Sequence, residues 1–258
     1  MSWPSYRKRY LPSMTLAGIQ AISDREDALV ILPTGAVEQH GPQLPVGVDA
    51  LLSQVYLDLA LPKLADEAPV YVAPPIQAAK SNEHDGFPGT VILHRESLRR
   101  MILSAGRQIK EWGFQRVAIL NTHGGNISVI KSALRELHLK YELKVEVLSF
   151  PYETEITDRE RAFGIHANDV ESSLMYALTP DLVDPSAATC CWIGSLDDPK
   201  ILQSEFAPAT YAWKTLDISR SGTVGDATIG TAEKGRLWAE RAANSLVRRL
   251  NEFVGESE

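Results

Sequence analysis

Only two of the 258 residues are cysteine, and they are neighbours, Cys190 and Cys191. Adjacent cysteines bridge each other badly, because disulfide geometry demands separated Cα atoms. A disulfide-stapled scaffold is therefore not expected; both thiols read as plain buried residues, and a reducing cytoplasm as the setting. No apolar run is long enough to span a bilayer, and Met1-Ser2-Trp3-Pro4 does not open a signal peptide, so no membrane partner is expected. Positive charge is also short. Lys and Arg number 26 against 33 Asp and Glu, a formal charge of −7, which argues against nucleic acid as a partner. The one basic run, Arg7-Lys8-Arg9, reads as a solvated arm or an oligomer contact. No Gly-x-Ser-x-Gly elbow occurs, which weakens a serine hydrolase reading.

What remains is an ordinary globular chain, 44% hydrophobic and 23% charged, with neither internal repeat nor linker. One domain over residues 1–258 is expected. Apolar runs at 28–32, 70–73, 117–120 and 145–150 read as strands, the first ended by Pro33. Helical spacing follows Thr15, Asp49 and Ser97, and recurs over 127–141, 169–178 and about 231–253. This βαβ alternation predicts an α/β fold: a mostly parallel sheet with helices on both faces. Residues 180–225 lack periodicity and read as loops or a flap, with Trp192, Tyr211 and Trp213 more suited to apolar packing than to a ligand.

Potential metal ligands fall where strands end, the usual ligand position in open α/β sheets. The first strand runs into Glu38-Gln39-His40, whose alternate side chains share one side of an extended backbone. Asp49 follows a Pro/Gly loop, where helix capping is its plainer role; both roles could hold together. Asn121-Thr122-His123-Gly124-Gly125-Asn126 joins a strand to a helix. It matches neither the P-loop nor the dinucleotide pattern, and an anion loop would leave its histidine unexplained. In His166-Ala167-Asn168-Asp169-Val170-Glu171, Glu171 alone would read as a first-turn dipole partner. Together Glu38, His40, Asp49, His123 and Glu171 supply two histidines and three carboxylates, a set suited to Zn²⁺, Mn²⁺ or Fe²⁺. A carboxylate bridging two ions about 3.5–4 Å apart would activate water at neutral pH. Glu83 and His84 precede Gly86-Phe87-Pro88-Gly89-Thr90 and read equally as pocket residues or a loop hydrogen-bond network. His94 and His138 carry no motif and read as structural.

The stretch Leu32 to Gly41 with Leu44-Pro45 and Asp49 resembles the creatininase signature. So do Glu83 to Thr90, Asn121 to Asn126, His166 to Ser172, and Gly222 to Asp226 with Ala232 to Gly235. The resemblance implies a metal-dependent amidohydrolase that cleaves a C–N bond of a small-molecule amide, cyclic amide or formamide, with two divalent ions per subunit. It implies Glu38, Asp49 and His123 on one ion, and His40, the bridging Asp49 and a further glutamate on the other. In creatininase that glutamate stands where this chain has Gly125, so Glu171 becomes the candidate and creatinine is doubtful as substrate. His166 is expected to stay off the metals and shuttle a proton. The resemblance also implies a homo-oligomer, a hexamer built as a trimer of dimers. The alternatives are a metal-dependent peptidase acting on a short peptide and a non-catalytic ligand-binding protein of the same fold.

Overall fold

The computed structural model of the chain describes residues 4–192 and 212–255. A short helix α1 (Leu16–Gln20) opens the fold, with the Thr15 hydroxyl accepting from the Gly18 N–H as its cap. Strands β1 (Leu29–Thr34), β2 (Val70–Val72), β3 (Arg116–Asn121) and β4 (Lys144–Val147) form a parallel sheet in the order β2-β1-β3-β4. Helix α2 (Val48–Ala60) joins β1 to β2, α3 (Arg95–Glu111) joins β2 to β3, and α4 (Ile127–Tyr141) joins β3 to β4. Beyond the sheet come α5 (Asp158–Phe163), α6 (Asp169–Leu178), β5 (Cys190–Cys191), α7 (Thr215–Ile218), β6 (Gly225–Asp226) and α8 (Ala232–Gly255). β5 and β6 pair antiparallel, apart from the main sheet.

Strand alternation divides the core. Leu29 and Ile31 of β1, with Ala118 and Leu120 of β3, pack on α2, α6 and α8. Val30 and Leu32, with Val117 and Ile119, pack on α3 and α4. Both faces are covered, as the buried β1 predicts. Each fully buried Leu or Ile contributes roughly 1.5–3 kcal/mol.

Several sequence expectations change. β1 continues through Pro33 to Thr34, because the missing N–H falls past the last rung with β2, Ile31–Val72. The Pro33 carbonyl still accepts from Ile76. β4 ends at Val147, short of Phe150. The short α5, α7, β5 and β6 carry no periodicity a sequence could show. Arg9 is buried and donates to the carbonyls of Ala65 and Ala68, so it anchors the N-terminal segment rather than forming a solvated arm. Cys190 is exposed and Cys191 half-buried, not core. Trp192 lies under the Arg159 guanidinium at 4.6 Å, whereas Tyr211 lies outside the described residues. His94 caps α3 by accepting from Glu96 N–H, and His138 donates to the Leu143 carbonyl, structural roles for both.

The strand order reverses between β1 and β3, since β1 leads to β2 on one side and β3 lies on the other. Ligands gather at the carboxyl ends of strands at such a switch point. Thr34 and Asn121, the last residues of these strands, are rung partners there.

Candidate metal centre

Gly35 begins the loop that leaves β1. A Cβ here would lie 2.8 Å from the backbone of Asp49 and Ala50, so glycine lets this loop lie directly on the first turn of α2. The close approach carries Glu38 and His40 to Asp49. Asp49 is the second residue of α2, whose N-cap is Gly47, so the capping role does not hold.

The histidines are oriented by carbonyl oxygens, which can only accept. His40 Nδ1–H donates to the Glu38 carbonyl at 3.0 Å, leaving Nε2 to face the cluster, where it can hold a proton or a cation. That nitrogen lies 3.4 Å from Asp49 Oδ1 and 3.8 Å from Glu171 Oε1. His123 Nε2–H donates to the Lys80 carbonyl at 2.9 Å, leaving Nδ1 to face the cluster, where it can hold a proton or a cation. That atom lies 3.2 Å from Glu38 Oε1 and 3.3 Å from Asp49 Oδ2. The two oxygens of Asp49 therefore face two different histidines.

Glu38 Oε2, Asp49 Oδ2 and His40 Nε2 are buried without a hydrogen-bond partner. Each such atom costs about 1–3 kcal/mol unless something satisfies it. Divalent cations would satisfy all three. Glu38, His40 and Asp49 offer ligand atoms within 4.8 Å of one another, as do His40, His166 and Glu171, and Glu38, His84 and His166. The mixture of imidazole and carboxylate suits Zn²⁺, Mn²⁺ or Fe²⁺.

Charge within the cluster is concentrated. Burial by itself lowers the His40 pKa, but Asp49, Glu171 and Glu38 outweigh it and lift the group to about 9. His123 is likewise raised well above its ordinary value, burial being overcome by Asp49 and Glu38. Glu38 falls well below its usual range, because hydrogen bonds from His123 and His84 outweigh burial. Glu171 is pushed up to about 7 by burial, against the pull of His40. Protons thus stand in for cations in the metal-free protein.

Glu171 is the third residue of α6, where Asn168 caps Val170 and Glu171 through its side chain. One Glu171 oxygen accepts the Ala167 N–H while the other faces His40, so the helix-start role and the site role coexist. His166 Nε2–H donates to the Gln39 carbonyl at 2.5 Å, which points Nδ1 toward Glu38 Oε1 at 3.8 Å. Burial, then His40 and His84, hold its pKa well below the ordinary value, so the ring is neutral.

Glu83 and His84 both line the cavity in front of this cluster; His84 also enters a hydrogen-bond network, and Glu83 faces Lys80 and His123. His84 Nδ1 accepts from Gln39 Nε2 at 2.8 Å and from the Thr215 hydroxyl at 2.9 Å. Its Nε2–H then faces Glu38 Oε1 at 3.2 Å. Glu83 Oε1 lies 3.5 Å from His123 Nε2. A Cβ on Gly125 would come within 2.0 Å of that carboxylate oxygen and 2.5 Å of His123 Nε2. Lack of room, not an unusual φ, explains glycine at this position, since Gly125 has no positive φ.

The sequence reading missed the residues that hold the ligands. Gln39 fixes His84 and also donates to the Gly222 carbonyl at 3.2 Å. Asn126 donates to the Gly35 carbonyl at 3.0 Å, tying the two ligand loops together. Both stand inside the motifs already singled out, which was their only signal.

The profile of the creatininase family, described as creatinine amidohydrolase, matches residues 12–250. The chain belongs to the creatininase family. It is 30% identical over 249 residues to a creatinine amidohydrolase of Pseudomonas putida, covering 88% of this chain and 90% of that one. It is 29% identical over 215 residues to a mycofactocin precursor peptide peptidase of Mycolicibacterium smegmatis, covering 82% and 80%. Among solved structures, a creatininase variant superposes with a TM-score of 0.72 at 25% identity, covering 94% of this chain and 97% of that one. A zinc–zinc form at 23% identity gives 0.70, covering 97% and 98%, and a manganese form at 22% gives 0.67, covering 95% and 98%.

Proposed function

We propose that this creatininase-family chain is a dinuclear metal-dependent amidohydrolase that cleaves a C–N bond other than a main-chain peptide bond. The observation that carries the reading is Asp49, whose two oxygens face His40 on one side and His123 on the other. Glu38, Asp49 and His123 would hold one divalent ion, and His40, Asp49 and Glu171 the other. Zinc, manganese or iron suits these donors, and the zinc and manganese forms of the relatives support that choice. When bound, the ions would polarise the amide oxygen and activate a water molecule near neutral pH.

The chain's own residues then orient and move protons. The carbonyls of Glu38 and Lys80 fix the ligand histidines in the tautomers that ligation requires. Neutral His166, with Nδ1 facing the site, can take a proton from the attacking water and give it to the leaving nitrogen. An unprotonated amine anion is too basic to leave. The cavity of about 660 Å³ accepts a cyclic amide, formamide or other small amide, with Glu83 and His84 on its wall.

Its size and the peptidase relative support a second reading, hydrolysis of a short peptide. Gly125, standing where the resemblance to creatininase expects a glutamate, argues against creatinine as substrate. A non-catalytic ligand-binding role is disfavoured because the donor set is intact. We further propose one domain, a homo-hexamer and a cytoplasmic setting; no helix among the described residues is long and apolar enough to cross a membrane.

The test is a hydrolysis screen of cyclic amides, formamides and short peptides, with protein loaded separately with Zn²⁺, Mn²⁺ and Fe²⁺. Metal-dependent release of an amine is expected. Turnover of phosphodiesters alone would overturn the reaction class.

A further inference from the structure

With its carboxylate floor holding cations, the cavity in front of the cluster would keep one cationic side chain that no carboxylate among the described residues offsets. Glu38, Asp49 and Glu171 form its floor, where bound cations would offset their charge. Glu83 lies 3.5 Å from the Lys80 ammonium, which offsets a fourth carboxylate. Lys131 also lines the cavity and has no ion-pair partner among the described residues. Ser128 and Lys131, both on the cavity wall and three residues apart in α4, share one helix face. Ammonium and hydroxyl therefore stand on the same wall of a cavity that Ile165 and Trp213 also line. Within α4, Lys131 lies three residues, about 4.5 Å of helical rise, beyond Ser128.

Resting on the amidohydrolase reading, we infer that the substrate is an amide bearing a carboxylate a few bonds from the scissile C–N bond, held by Lys131 with Ser128 as a second donor. A neutral compact ring would leave this ammonium unused. A carboxylate gains charge-assisted hydrogen bonds there, stronger than neutral ones. Two fixed points, the metal floor and Lys131, then orient the bond between them. The carboxylate can belong to an N-acyl amino acid or to the C-terminus of a short peptide.

The experiment compares N-formyl and N-acetyl amino acids with tripeptides, each as free acid and as carboxamide, on zinc-loaded wild type, Lys131→Met and Lys131→Arg. The free acid should exceed its carboxamide at least tenfold in kcat/KM, through KM. Lys131→Met should collapse that ratio and Lys131→Arg preserve most of it. The series that shows the ratio identifies the source of the carboxylate. Calorimetric binding of triglycine and triglycinamide to the same proteins keeps the subsite testable if no amide is cleaved. Absence of turnover would sink the amidohydrolase reading, while a tenfold affinity ratio lost in Lys131→Met would still support the subsite. Equal handling of acid and carboxamide by wild type, or a ratio untouched by Lys131→Met, overturns it; the latter outcome assigns the carboxylate to the metals.

Discussion

At the scale of single residues, Asp49 and the pair His166 and Glu171 carry the proposed mechanism. Asp49 sits inside the first turn of α2 and caps nothing; its buried charge is offset by His40 and His123, and would be offset by bound cations. Asp49→Asn should therefore leave the helix intact by circular dichroism and lose metal from both sites in elemental analysis. Retention of two ions with full turnover would remove the bridging role. His166 and Glu171 are five positions apart and both reach His40, whose ring centroid is 4.2 Å from that of His166. His166→Ala should keep both ions and lower kcat by about 10²–10⁴-fold, the usual worth of a positioned acid–base group. Glu171→Ala should lose one ion. Metal stoichiometry of the two variants decides, since a loss confined to His166→Ala would exchange the roles.

Elements determine how well those residues are held. α6 brings Glu171 to the site, and α8 supports it from behind through Trp238, Ala239, Ala242 and Leu246. Gly235 lets the two helices touch, because a Cβ there would lie 1.8 Å from the Ser173 carbonyl oxygen. Gly235→Ala must push α8 away, an overpacking error of about 1–3 kcal/mol or more. Denaturant unfolding should show that loss, and zinc affinity should fall with it because α6 shifts. Unchanged stability would mean that the helices can slide past one another. Glu160, at the third position of α5, ties three segments together. Its oxygens accept the N–H groups of Asp169 at 2.9 Å and Asp226 at 3.1 Å. Burial, outweighing those bonds, pushes its pKa up to about 7 from 4.5. A raised carboxyl pKa means the folded state binds more protons between those values, so stability falls as pH rises across that window. The loss from this one group should reach up to about 3 kcal/mol. In metal-free protein the stability of wild type relative to Glu160→Gln, measured by denaturant unfolding from about pH 4.5 to 7.5, should fall by up to that amount toward the alkaline side. A flat difference would show that Glu160 ionises normally.

For the whole molecule, metal occupancy and protonation are linked. His40, lifted to about 9, and Glu171, lifted to about 7, hold protons that a cation must displace. Zinc affinity should therefore rise as pH rises from 6 to 9, with proton release visible as a buffer-dependent enthalpy in calorimetry. Binding should also raise Tm, since the ions satisfy atoms left unpaired in the folded protein alone. An affinity independent of pH would mean that the protons lie elsewhere.

Local pattern alone determined the strand–helix alternation, the parallel sheet and the ligand types, because burial on both faces of β1 and the 3.6-residue spacing of α4 and α6 are written in neighbouring residues. The bounds of α4 and α6 agree with their sequence spacing, and Glu38, His40, Asp49, His123 and Glu171 meet at one site. Tertiary structure decided what each ligand does. Asp49 loses the capping role only because α2 starts two residues earlier, at Val48, and Glu171 reaches the cluster on α6, which leans on α8. Tautomers were settled by carbonyls from other segments, such as Lys80 against His123, contacts made across 43 positions of sequence. Gln39, Asn126 and Thr215 act through such distant partners too. Hydrogen bonds that close between remote segments leave no periodic trace, whereas burial along one strand or helix does.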